Sequence, residues 1–359
     1  MISLEEKLLV NILYRQENEV LKGIDPDNIN FEKLITLASG HLMLPALFLF
    51  PVLSLFGSNV KATTQGGVLD TTWPSALPGY TAYATVVAPD GKIWVGDAGV
   101  KSITTAGVST DVTANNQTTL SLAVQVTGSG TFVLAGGSNF IFRYSAAGVK
   151  DTTFGTGQSG AHNVLHVYGS GASQKIYAGA GNDFKRYSAN GALENTVGMG
   201  GAVNALATQS VGATDYILVG GDFGLKRYTT GSVIDSAFTA NPGATVRAIK
   251  VQSDGKILVA GTFGLKRYNA DGSVDAAFPA ISTSVISLAI QSDGKIIAGT
   301  STALLRYSSA GVAETGFNTN AALNGNFQSS SIALEASGNI IVVGGTNSAT
   351  KRFMRRYSW

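Results

Sequence analysis

The sequence predicts an all-β chain built by repeating one small four-stranded unit, and three observations predict it. The dipeptide Arg-Tyr recurs at Arg143-Tyr144, Arg186-Tyr187, Arg227-Tyr228, Arg267-Tyr268, Arg306-Tyr307 and Arg356-Tyr357, with gaps of 39 to 43 residues and a last gap of 50. A fixed period near forty is the mark of a repeat architecture. The chain of 359 residues holds 44 glycines and only 13% charged residues, which favours short strands and tight turns over helices. Its two ends carry complementary fragments of one unit. Together these give a seven-bladed β-propeller, closed by an N-terminal strand and preceded by a short α-helical and apolar N-terminal segment.

The front segment, residues 1–60, stands outside the repeat. "SLEEKLLVNILYRQENEVL" (Ser3 to Leu21) opens on a capping-box pattern, Ser3 with Glu6, and predicts a helix. "DPDN" breaks it, and "NFEKLITLAS" (Asn30 to Ser39) predicts a second. "LMLPALFLFPVLSLF" (Leu42 to Phe56) is uncharged over 15 residues, short of the roughly 20 that a membrane helix needs. Val60 and Ala62 are spaced as at a signal-peptidase site, so cleavage near Ala62 is one outcome. The other is a retained docking element. Residues 61–359 form the propeller.

Residues 246–278 show one unit. "VRAIKVQ" alternates as an inner strand. "SDGK" is a hairpin turn, with Asp-Gly supplying positive φ. "ILVAG" is a buried strand, "LKRYN" a third, and "SVDAAF" an outer fourth. Seven such starts occur. The last unit stops at "RRYSW" (Arg355 to Trp359), while an orphan outer strand, "GGVLDTTW" (Gly66 to Trp73), precedes the first. The second completes the first and closes the ring, leaving no unpaired edge between them.

An acid follows each Arg by eight residues: Arg143 and Asp151, Arg186 and Glu194, Arg227 and Asp235, Arg267 and Asp275, Arg306 and Glu314. Arg356 would find Asp70 on the closing strand. A three-residue loop sets Asn269 opposite Ser273 and therefore Arg267 opposite Asp275. The first unit has Ser102 and Thr110 at these two places, so both charges are lost together. That is expected of a structural ion pair, since a lone partly desolvated partner is costly. Phe154, Phe238, Phe278, Phe317 and Trp73 recur with them as packing residues between blades.

The stretch "VQSDGKILVAG…LKRYNADGSVDAAF" resembles the delta-sixty repeat, a bacterial and phage-associated propeller repeat. The resemblance covers about residues 66–359, is strongest over 215–317, and implies a seven-bladed propeller. It implies little about activity, because such repeats occur in large surface, secreted and virion proteins.

Few candidates for chemistry remain. Lys and Arg form no basic stripe, so nucleic acid is not an expected partner. Phosphate-loop, nucleophile-elbow and zinc motifs are missing, and no cofactor or metal is expected. With no cysteine, no disulfide is possible. Asp97 and Asp222 fall at equivalent turns and are expected to be solvated. His162 and His166 are expected on one face of a strand, about 13 Å apart by strand rise, too far to share a metal. Lys351, Arg352, Arg355 and Arg356 form a basic cluster in and after the long loop of the last unit, with Arg356 belonging to the frame. If the propeller binds something, the loops before each inner strand are the place, and Tyr80, Tyr83, Asn115, Asn116, His162, Asn320 and Asn324 are the candidates, suited to polar contacts with a glycan or surface receptor.

The expected function is a non-catalytic binding or structural module on a virion (a phage tail or capsid accessory) or a bacterial surface, joined to protein partners through residues 1–60. The alternatives are a secreted propeller that binds glycan or matrix, and a propeller enzyme (lyase, lactonase or glycosidase) with a site in the central channel. A cytoplasmic location is not expected.

Overall fold

A computed structural model describes residues 68–71, 73, 82–112, 117–155, 159–317, 328–345 and 352–358, all within the unit formed by residues 65–359. The helices expected in residues 1–60, the cleavage site near Ala62, and Tyr80, Asn115, Asn116, Asn320 and Asn324 lie outside the described residues.

Seven antiparallel sheets follow one another in sequence. Their inner strands are Ala84–Val87, Thr119–Thr127, His162–Tyr168, Val203–Val211, Val246–Val251, Ser287–Ile290 and Gln328–Leu334. The second strand of each sheet is the apolar run seen in the sequence. Ile257–Gly261 is buried at every residue, because its two faces meet the sheets on either side. The hairpin register is as the loop length dictates: Asn269 N–H donates to Ser273 O at 2.8 Å and Asp275 N–H to Arg267 O at 3.0 Å.

Each hydrophobic cluster draws on two consecutive sheets. Phe278 packs with Leu258 and Leu265 of the fifth sheet and with Leu288 and Ile296 of the sixth. Trp73 packs with Ile341, Val343 and Met354 of the seventh sheet and with Ile93, Val95 and Ile103 of the first. The core is thus a circuit of interfaces rather than one centre. Such close approach needs glycine in places. A Cβ on Gly220 would lie 2.5 Å from Val246 Cγ1 in the next sheet. Gly264 has φ +97°, and its Cβ would meet Ile281 O at 1.9 Å.

The outer strand departs from the sequence reading. It is a regular strand only in the first sheet (Ser109–Asp111) and the third (Leu193–Gly198). In the others it shrinks to single bridges, such as Tyr268 with Val274. In three of these sheets the acid contributes: Asp151, Asp235 and Asp275 each accept the N–H two residues on, at Thr153, Ala237 and Ala277, which curls the chain into a turn. The orphan segment behaves likewise: Leu69 bridges Tyr357, and Asp70 N–H donates to Arg356 O at 2.9 Å.

A second feature was not legible as alternation. Five inner strands carry a bulge near their start, at Thr119/Ser121, His162/Val164, Val203/Ala205, Val246/Ala248 and Ser329/Ser331. One residue is inserted at each, and everything after it changes face.

Candidate functional site

The repeated arginine does more than meet its acid. Arg267 Nε donates to Asp275 Oδ2 at 2.7 Å, and Nη1 donates to the backbone oxygen of Ser309, in the turn of the next sheet, at 2.7 Å. The same reach joins Arg143 to Ala189 O, Arg186 to Thr230 O, Arg227 to Ala270 O and Arg356 to Thr105 O. The last of these runs from the seventh sheet to the first. The pairs Arg143–Asp151, Arg186–Glu194, Arg227–Asp235, Arg306–Glu314 and Arg356–Asp70 lie between 2.5 and 3.0 Å. An aromatic ring closes the other side: Arg267 stands 4.6 Å over Phe278, Arg227 4.5 Å over Phe238 and Arg306 4.5 Å over Phe317.

Sequence reasoning missed the third member. Gln125, Gln209 and Gln252 each accept from the Arg Nη1 and donate to the same turn carbonyl. The recurring Gln at the end of the inner strand was the signal. The first sheet, which lacks the Arg, reaches Ala146 O with Lys92 Nζ at 2.8 Å. Its loss of both charges is therefore compensated from a neighbouring strand.

The charges of this frame are held firmly. Asp275 is pulled down to about 2, by the Lys256 ammonium first and then by a backbone N–H and Arg267. Asp151 is likewise lowered to about 2, by the Thr153 hydroxyl and then Arg143.

Three expectations about single residues change. His162 does not face a ligand: it is wholly buried, with Nδ1 donating to Gly137 O at 3.2 Å and Nε2 facing the Tyr187 hydroxyl at 3.1 Å. His162 and His166 do not share a face. The bulge at His162/Val164 turns His162 toward the second sheet and His166 toward Thr208 of the fourth, at 2.6 Å. Asp97 is not solvated. It is 2% exposed, accepts the Gly99 N–H at 2.8 Å, and burial raises its pKa against the pull of Lys101. Asp222 is exposed, with Oδ1 3.5 Å from Asn204 Nδ2.

Of the loop candidates, Tyr83 has a described position with access to a ligand. It lines a cavity of about 520 Å³ bordered by the inner strands of all seven sheets. The strand registers arrange that lining in levels. Tyr83, Leu120, Asn163, Asn204, Arg247 and Ile286 are equivalent positions of six sheets and all border the cavity. Three residues further along, His166 and Lys250 occupy equivalent positions of the third and fifth sheets, with Ala207 between them. Burial holds the His166 imidazole down to about 4, with Lys250 adding to the shift, and burial lowers the Lys250 ammonium too. Lys250 is exposed by accessible surface and lines the same open cavity. Among the described residues no cluster of three or more His, Asp or Glu could hold a metal.

Known proteins place this geometry. The family model described as "Domain of unknown function (DUF5122) beta-propeller" matches residues 252–278, a single repeat. No curated protein matches the chain. Among solved structures, the chain is similar to the WD40 β-propeller domain of Doa1, at 16% identity and TM-score 0.64, covering 82% of this chain and 96% of that one. It is similar to the WD40 repeats of RRP9, at 11% identity and TM-score 0.62, covering 82% and 99%. It also resembles the extracellular domain of the putative hybrid two-component system BT4673 from B. thetaiotaomicron, at 15% identity and TM-score 0.61, covering 80% of this chain and 39% of that one. At such identities the likeness speaks for the fold alone, and that fold is a β-propeller.

Proposed function

We propose that the chain is a seven-bladed propeller of the delta-sixty repeat kind, closed by the strand near residues 66–73. In this reading it works as a non-catalytic binding or structural module on a virion or bacterial surface, and residues 1–60 attach it to its assembly. One observation carries the reading. Where a unit carries the recurring Arg, acid, Gln and aromatic, they are spent on the frame and on joining neighbouring sheets, from Arg143 to Ala189 O round to Arg356 and Thr105 O. The repeated chemistry is frame, and recognition is left to what differs between units, the loops and the channel.

The test is removal of residues 1–60. Attachment predicts that residues 61–359 keep their melting temperature and β-type circular dichroism but no longer co-sediment with the assembly from the producing cells. Unfolding of the truncated chain, or undiminished co-sedimentation, defeats the reading.

A further inference from the structure

Every described Lys and Arg side chain except two has a hydrogen bond, an ion pair or an aromatic ring as partner. The exceptions are Arg247 and Lys250. Both stand on the inner strand of the fifth sheet, and both line the central cavity. None of the described residues lining that cavity is Asp or Glu. Elsewhere the molecule matches its cations closely, as Arg267 with Asp275 or Lys101 with Asp111. Two unmatched, solvent-exposed cations on one cavity wall give it a positive potential, and apolar neighbours such as Leu120, Ile249 and Ile286 bring no counter-charge.

We infer that the central channel is an oxyanion-binding site whose principal ligand group is the Arg247 guanidinium. Arg247 is the inserted residue of its bulge, so its side chain is displaced from the sheet ladder toward the cavity. Asn163 and Asn204 are the inserted residues of the two preceding sheets and border the same level. The Asn163 side-chain amide has no hydrogen bond among the described residues. Asn204 Nδ2 lies 3.3 Å from Val246 O and 3.5 Å from Asp222 Oδ1, and its carbonyl oxygen has no partner among the described residues. A guanidinium flanked by amides suits the planar oxygens of a carboxylate, or a face of sulfate or phosphate. Lys250 adds a second charge about 10 Å further along, by strand rise. This inference goes beyond the proposed function and holds wherever the chain is displayed.

The oxyanion has two sources, a free inorganic ion or the acidic group of a saccharide. The test titrates the full chain by calorimetry with sodium sulfate, sodium D-glucuronate and neutral D-glucose, at ionic strength fixed with sodium chloride. Saturable one-to-one binding of sulfate or glucuronate, with none of glucose, supports the inference. Equal affinity for the two anions assigns a free ion. Glucuronate tighter by about tenfold or more assigns an acidic sugar held also by its hydroxyls. Arg247→Gln is expected to weaken binding at least about tenfold. Asn204→Asp, which places a negative charge at the same level and leaves Arg247 intact, must weaken it too. Arg247 has no partner among the described residues, so Arg247→Gln is expected to keep the parent melting temperature. Asn204→Asp gives up the Nδ2 contacts to Val246 O and Asp222 Oδ1, so its melting temperature is expected to fall and its binding is read at a temperature where it is folded. No saturable binding of either anion overturns the inference, as does binding that neither folded variant weakens.

Discussion

Arg267 of the fifth sheet donates through Nη1 to the backbone oxygen of Ser309 in the sixth, at 2.7 Å, while its Nε holds Asp275 of its own sheet. One side chain thus fixes an outer turn and an inter-sheet spacing at once. Its guanidinium is largely withdrawn from water, at 8% exposure, which strengthens both contacts.

Arg227→Leu is expected to cost about 3 kcal/mol in urea unfolding, because it strands the Asp235 carboxylate at 16% exposure. Arg267→Leu is expected to cost less, although its pair is more buried. Lys256 Nζ still holds Asp275 at 2.9 Å. The reverse ranking would show that the second cation does not share the load. Lys92→Met, which removes one inter-sheet contact, is expected to cost about 1 kcal/mol.

Trp73→Ala tests the joint between the seventh and first sheets. Trp73 is 3% exposed among residues of both. The expected cost is about 3–5 kcal/mol. A cost under about 1 kcal/mol would mean that the segment around Leu69 is an accessory to the ring and not its closure.

Gly264→Ala should be the most damaging single-methyl change in the fifth sheet. Its positive φ and the Ile281 carbonyl leave no room for a Cβ, and about 3 kcal/mol is expected. Gly128→Ala, where a Cβ meets nothing within 4 Å, is the matched control and should be near neutral in thermal melts.

Acid should destabilise the fold in two stages. His166 is held down to about 4 by burial first and then by Lys250. Thr208 also contacts it, and Arg247 lines the same cavity. Between about 6.5 and 4 the unfolded chain binds the extra proton, so stability falls as pH falls through that window. Asp151 and Asp275, lowered to about 2, contribute stability above their unfolded values near 3.8 that is lost on going toward 2. In melting temperatures against pH, His166→Asn should reduce the first stage, to which His162, also lowered by burial, contributes, and leave the second. A slope between 6.5 and 4 unchanged in the variant would remove His166 as its source.

The sequence made the frame visible because the frame is periodic. Arg267 and Asp275 could be set opposite one another by counting from a glycine turn, and Trp73 could be matched to its repeat position from seven sheets away. Two things escaped. The Gln at 125, 209 and 252 looked like one more polar strand residue, since its partner is a carbonyl more than forty residues on. The bulges escaped because an inserted residue leaves no mark in composition, and one of them put His162 and His166 on opposite faces. Asp97 was hidden for another reason: nothing in a turn motif states what the neighbouring sheet will lay over it. The channel level of Tyr83, Asn163, Asn204 and Arg247 is visible only once the sheets stand in register.

The inserted residue of each bulged inner strand has a consequence for descent and for design. Because it sits outside the ladder, its identity is decoupled from strand pairing, and duplication of one ancestral unit leaves a collar whose letters are free to diverge. Leu120, Asn163, Asn204 and Arg247 are four spellings of one position. A symmetric bore becomes a lopsided one without any sheet having to refold, and the same letters can be rewritten by hand, one sheet at a time.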